Sequence, residues 1–167
     1  DEERGIQFFT MEHVEGVTLS RKMKEGGMSP EETLGLMRQL CEGMAYAHQY
    51  TIHRDLKPQN IMVQPNGKIK ILDFGLARLL GSEQMHKSSM ALGTAYYQAP
   101  EQSVHLREVD QRADIYSLGV IFYQMLTGKI PVGMISPAST LNPNSPAYLD
   151  DVISKCLSPE MEDRYPD

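Results

Sequence analysis

Cysteine is scarce in this 167-residue sequence: only Cys41 and Cys156 are present, far apart in the chain, and no C-x-x-C spacing exists. That excludes a disulfide framework and a cysteine-based zinc site. The expectation is two buried, reduced thiols of a cytosolic protein, each inside a helical apolar pattern. A basic excess is missing too. Sixteen Lys and Arg stand against 22 Asp and Glu, a formal net charge of -6, which argues against a nucleic-acid binder. No apolar run is long enough for a membrane. The most apolar stretch, Ile115 to Leu126, spans about two-thirds of a bilayer and is interrupted by Ser117 and Gln124. It reads as a core helix, so no membrane contact is expected of this segment. Repeats and low-complexity tracts are absent from this sequence, and no signal peptide is visible in it. Residue 1 is Asp rather than Met, so the expectation is a chain cut from something longer. His13, His48, His86 and His105 form no metal-ligand cluster and read as surface or packing residues.

What is present is an ordinary globular balance, 41% hydrophobic and 23% charged. One domain of this size can bury roughly 70% of its unfolded surface. Ile6 to Val14 reads as a strand ending at Glu15-Gly16. Ser29-Pro30-Glu31-Glu32 is a helix start, with Ser as N-cap, Pro at the first helical position and Glu completing a capping box. Leu34, Met37, Cys41, Met44, Ala45 and His48 then recur at helical spacing as far as about Gln49. Ile61 to Val63 and Lys68 to Leu72 are short strands, and Asn66-Gly67 between them is a strong hairpin signal. Polar, irregular sequence runs from Gly75 to Pro100, a length that usually carries function. Ile115, Leu118, Ile121, Phe122 and Met125 mark a second helix stopped by Gly128. Residues 131–146 hold four prolines and read as a loop. Leu149 to Leu157 form a third helix, with Asp150 and Asp151 near its positive end. The methionines read as core filler, and Arg21, Lys22 and Lys24 as a solvated face.

Chemistry concentrates in Ile52-His53-Arg54-Asp55-Leu56-Lys57-Pro58-Gln59-Asn60, which fits the H-R-D-L-x-x-x-N catalytic-loop pattern. Phosphoryl transfer demands positioning and charge neutralisation more than covalent help. Asp55 is suited to take or orient a hydroxyl proton, and Lys57 to meet a γ-phosphate. Asn60 offers a neutral oxygen to Mg²⁺. Asp73-Phe74-Gly75 follows the hairpin's second strand, placing a carboxylate where it can bridge to Mg²⁺. Ala99-Pro100-Glu101 closes the irregular stretch. The three signatures fall in order at sensible separations, which a chance tripeptide would not do.

On these motifs the chain resembles eukaryotic-type (Hanks-type) serine/threonine protein kinases, in particular bacterial members, from the end of the N-terminal lobe through most of the C-terminal lobe. The resemblance implies an α+β, protein-kinase-like fold: a mainly helical C-lobe with a small β-hairpin at the cleft. It implies a hinge at 11–18, a C-lobe at 19–167, a catalytic loop at 53–60 and an activation segment at 73–101. Met11 would be the gatekeeper, the backbones of Glu12 and Val14 would bind adenine, and Met62 would pack beneath it. Lys57, Asn60 and Asp73 would complete the contacts to ATP and Mg²⁺, with Asn60 and Asp73 as metal ligands and Asp55 and Lys57 as the catalytic pair. His53 would pack against Phe74, Asp114 would hold the catalytic-loop backbone, and Arg164 would pair with Glu101. Lys57 and Thr94 are what serine/threonine kinases carry. Arg54 resembles the subgroup switched by activation-loop phosphorylation, with Ser88 and Ser89 the best-placed acceptors, ahead of Ser82.

The chain departs from the family pattern at Gln98 and around Tyr116-Ser117, where a tryptophan is common. No glycine-rich phosphate loop, strand lysine or helix glutamate is present, and Gly26-Gly27, which precedes a capping box, is no substitute. The resemblance therefore implies transfer of the ATP γ-phosphate to Ser/Thr hydroxyls of protein substrates in a longer protein, with the fragment itself poorly active. It leaves open a dimer through the N-terminal lobe and a membrane anchor outside this segment. A pseudokinase or kinase-like scaffold is the alternative; a small-molecule kinase of related fold is a weaker third.

Overall fold

A computed structural model describes residues 2–3, 6–7, 10–74, 94–104 and 109–167. In chain order the elements are strands β1 (Glu2–Glu3), β2 (Ile6–Gln7) and β3 (Val17–Thr18), helices α1 (Leu19–Lys24) and α2 (Pro30–Ala47), and strands β4 (Ile61–Val63) and β5 (Ile69–Ile71). Helices α3 (Glu101–Val104), α4 (Arg112–Thr127), α5 (Ala138–Leu141) and α6 (Tyr148–Cys156) follow. Short 3-10 turns cover Pro58–Asn60, Thr94–Tyr97 and Met161–Asp163. Among the described residues no helix is long and apolar enough to cross a membrane.

Helix α4 is the body's axis. Its residues from Ala113 to Leu126 are buried except Tyr116 and Gln124, as expected of a helix that is apolar on nearly every side. Gly119 makes the contact with α6 possible: a Cβ there would lie 2.6 Å from the Cβ of Cys156. Leu36, Met37, Leu40 and Met44 turn the apolar face of α2 into the same core. Ser29 caps α2, its Oγ accepting from Glu32 N–H at 3.1 Å. The expected capping box is only half made, because the Glu32 carboxylate pairs with Lys22 Nζ at 2.7 Å.

β3, β4 and β5 form one antiparallel sheet in that order, with Thr18 opposite Met62 and Ile61 opposite Ile71. The hairpin turn closes with Gly67 N–H donating to Gln64 O at 2.9 Å. Gln39 on α2 holds it down, donating to Gly67 O at 3.0 Å and accepting from Ile69 N–H at 3.2 Å. Gly16 enters the sheet at φ 141°, and a Cβ on it would lie 2.3 Å from Val63 O. Both the backbone conformation and the space require glycine. Gly16→Ala is therefore expected to weaken the β3–β4 pairing and lower the melting temperature; an unchanged melt would show that the edge can shift to accept a methyl.

Several sequence expectations need correction. The strand foreseen over Ile6–Val14 is limited to Ile6–Gln7, with no strand over 10–15 and residues 8–9 outside the described set. Apolar, β-branched residues favour extended backbone, but a strand also needs a partner, and β2 finds one only in β1. Strand β3 and helix α1 went unforeseen, as did α5 within the expected 131–146 loop. Lys22 is half-buried in its ion pair rather than part of a solvated face. Cys41 is exposed and Cys156 half-buried; burial pushes the Cys156 thiol up to about 11. Among the methionines, Met37, Met44 and Met125 are core residues, whereas Met134 is 97% exposed and Met11 56%.

Candidate active site

The loop between α2 and β4 is held from beneath by side chains that point into the core. Leu56 and Pro58 are fully buried and anchor it. Asp114, in the first turn of α4 and fully buried, accepts from His53 N–H (Oδ2, 2.8 Å) and Arg54 N–H (Oδ1, 2.8 Å). His48 Nε2 lies 3.0 Å from the same Oδ2. One buried carboxylate thus meets three donors, the condition under which a charge can be kept out of water. Of the surface and packing roles expected for His48, it takes the packing one, as an enclosed partner of this carboxylate. The helical period of α2 marks its inward face, but only tertiary packing brings His48 to Asp114.

Arg54 sits at φ 66°, a left-handed conformation that costs a non-glycine residue roughly 1–3 kcal/mol. The loop turns there, which carries the next side chain, Asp55, away from the core. His53 is buried, with Nε2–H donating to Leu72 O at 2.9 Å and Nδ1 accepting from Asp55 N–H at 3.3 Å. Those two partners assign the tautomer with the proton on Nε2. The His53 and Phe74 ring centroids are 4.8 Å apart.

Asp55 and Lys57 are brought together directly, Nζ to Oδ2 at 2.7 Å, both partly open to solvent. Asn60 Nδ2 donates to the Asp55 carbonyl at 2.9 Å and approaches its Oδ2 at 3.4 Å. With the amide nitrogen so engaged, the Asn60 side-chain oxygen is the atom left to meet a cation. Asp73 lies one residue beyond the sheet's last backbone link, Leu72 N–H to Asn60 O at 2.8 Å. It is exposed, at φ 62°. One carboxylate and one amide oxygen thus flank the same end of the hairpin, a hard-oxygen pair of the kind Mg²⁺ takes when waters and phosphate oxygens supply the rest. Among the described residues no cluster of three His, Cys, Asp or Glu forms a self-sufficient metal site.

The β3–β4 pairing sets Val17 opposite Val63 and Thr18 opposite Met62, which is half-buried. Glu12 is exposed, and its carboxylate forms an ion pair with Lys70 Nζ; Val14 is half-buried. Thr94 opens the 3-10 turn Thr94–Tyr97. Gly75, Ser82, Ser88 and Ser89 lie outside the described residues.

Further from the loop, Arg164 is fully enclosed and donates five hydrogen bonds: two to Glu101 (2.7 and 2.9 Å) and one each to Ser158, Arg112 and Pro159 carbonyls. That uses every N–H of the guanidinium. The Arg164 guanidinium also lies 5.0 Å from the Tyr116 ring centroid. Ser117, the other residue in the departure from the family pattern, donates to Tyr97 O at 2.7 Å. These two positions therefore tie α4 to the segment around Ala99-Pro100-Glu101.

A helical lobe with a three-stranded sheet at one end, carrying H-R-D-L-x-x-x-N and D-F-G on the loops beside it, has the architecture of a protein-kinase C-terminal lobe. The family model described as "Protein kinase domain" matches residues 2–165, and the chain belongs to the protein kinase family. It is 34% identical over 180 aligned positions to the serine/threonine-protein kinase PrkC of Bacillus subtilis, covering 98% of this chain and 28% of that protein. To the serine/threonine-protein kinase PknB of Mycobacterium tuberculosis it is 35% identical over 178 positions, covering 96% of this chain and 28% of the relative. The chain thus spans little more than a quarter of the length of these curated relatives. In three dimensions it is similar to a double-mutant form of the Mycobacterium tuberculosis PknI kinase domain, with a TM-score of 0.73 at 27% identity, covering 94% of this chain and 59% of that one.

Proposed function

We propose that the protein to which this chain belongs transfers the γ-phosphate of ATP to serine or threonine hydroxyls of protein substrates. The observation that carries the reading is the Asp55–Lys57–Asn60 cluster, held by a buried carboxylate and set beside Asp73. Asp55 accepts the hydroxyl proton, its Oδ2 being held toward Lys57 at 2.7 Å. Lys57 then has two anions to serve: the Asp55 carboxylate at rest and the γ-phosphate oxygens when substrate is bound. Asn60 fixes the Asp55 backbone with its amide nitrogen and offers its oxygen to Mg²⁺, while Asp73 offers a carboxylate. Bound Mg²⁺ supplies neutralisation of the phosphate charge. Adenine binding falls to the backbones of Glu12 and Val14 above Met62. The side chain of Glu12 is engaged with Lys70 and takes no part in that contact.

The buried loop supports explain how the site keeps its geometry without substrate. Electrostatic catalysis depends on groups already oriented before charge develops, and the residues beneath Asp55 are enclosed and hydrogen-bonded. Arg54 N–H is committed to Asp114; its guanidinium would meet a phosphate on the activation segment, with Ser88 and Ser89 as acceptors and Thr94 near the substrate hydroxyl.

Melting of the complete protein with Mg²⁺ and ATP, together and separately, tests the reading. Ligand at about 100 times its Kd should add about 2.7 kcal/mol to stability, so the melting temperature should rise by several degrees with both present and much less with either alone. A melting temperature indifferent to Mg²⁺ and ATP would favour a kinase-like scaffold that binds partner proteins.

A further inference from the structure

We infer that Gln102 is a positioning residue for the catalytic loop, joining the Ala99-Pro100-Glu101 segment to the backbone of Arg54; the inference rests on the function proposed above. Gln102 follows Glu101 in the first turn of α3 and is half-buried. Its Nε2 donates to Arg54 O at 2.7 Å, and its Oε1 accepts from Ala99 N–H at 3.0 Å. The two contacts fix the amide's orientation, since the flipped form would set oxygen against oxygen and nitrogen against N–H.

Arg54 is where such a clamp matters. It carries the left-handed backbone, φ 66°, which persists only when the surroundings over-determine it. Asp114 holds its N–H at 2.8 Å, and Gln102 holds its carbonyl. The carbonyl of Arg54 belongs to the same peptide unit as the N–H of Asp55. Holding that oxygen therefore fixes the plane from which the Asp55 side chain projects. Asp114 pulls from the core, and Gln102 from the segment that ends the activation loop. The second tie makes the direction of Asp55 depend on the state of that segment, a coupling that Asp114 alone cannot provide.

A side chain at 102 that cannot donate should release the Arg54 carbonyl. Gln102→Glu keeps an acceptor for Ala99 N–H but sets a carboxylate oxygen against Arg54 O; Gln102→Met keeps the length and removes both bonds. In the full-length kinase each is expected to lower kcat toward a serine peptide by about tenfold, equivalent to about 1.4 kcal/mol in the barrier. The KM for ATP should stay within about twofold, because the nucleotide contacts lie elsewhere. Amide hydrogen exchange in residues 53–56 should quicken by a similar factor, with α4 unchanged. An unchanged kcat in active protein, unchanged exchange in 53–56, or a collapse of the melting temperature with kcat per folded molecule intact would each overturn the inference. If the wild type transfers no phosphate, the proposed function fails, and the exchange comparison alone decides whether Gln102 holds the loop.

Discussion

The full-length Asp55→Asn protein is expected to fold as the wild type does and to transfer phosphate about 10²–10⁴-fold more slowly, the range a positioned general base contributes. The substitution is nearly isosteric. The backbone carbonyl of Asp55 still accepts from Asn60 Nδ2, and the Asp55 N–H still meets His53. What disappears is a group able to take a hydroxyl proton and the anion that holds Lys57 Nζ at 2.7 Å. That ion pair is partly open to solvent, so its loss should cost no more than about 1 kcal/mol of stability. The prediction thus separates chemistry from folding: steady-state transfer to a serine peptide should collapse while the thermal melt moves little. A kcat within tenfold of wild type would remove Asp55 from the role of base.

Arg164→Leu is expected to do the reverse, striking stability first. The Arg164 side chain is fully enclosed and Glu101 is nearly so. Removing one partner of a buried pair costs about 3–5 kcal/mol, because the other charge is left in a poor solvent. Here Glu101 would lose both of its bonds, and the carbonyls of Arg112, Ser158 and Pro159 would lose a donor as well. At roughly 2–4 °C per kcal/mol for a domain of about this size, the melting temperature should fall by roughly 6–20 °C. Adding Glu101→Leu should recover part of the loss, since the stranded charge goes with it. A fall of less than about 2 °C for the single variant would mean that Glu101 finds water or another donor. The pair matters for function because Glu101 adjoins Gln102, so loosening it frees the element from which the catalytic loop is held.

Much of the site was legible because local chemistry repeats at short spacing. His53 to Asn60 and Asp73-Phe74 are contiguous strings that match the family signatures, and their order survives without knowledge of the fold. The long helices were legible for a similar reason. Ser29-Pro30 and the apolar period of α2 lie within a few residues of each other, as do the strongly apolar stretch of α4 and Gly128 at its end. Strand β3 was not legible. It is two residues long, and its existence depends on Met62 and Val63, distant in sequence, being there to pair with it.

By itself the sequence determined the family, singled out Asp55, Lys57, Asn60 and Asp73 as the candidate site, and placed the helices that bury the most apolar surface. All are properties of neighbours along the chain. Beyond Asp114, to which the family resemblance already pointed, tertiary structure alone decided which polar groups brace the loop and the hairpin. His48 reaches Asp114, Gln39 reaches the hairpin, and Gln102 reaches Arg54 across separations that no period of 2 or 3.6 residues encodes. It also decided that Cys41 faces solvent and that Met134 lies bare. Hydrophobic period predicts that a helix has an inner face, but only packing against a particular neighbour settles which residues at its margin are covered.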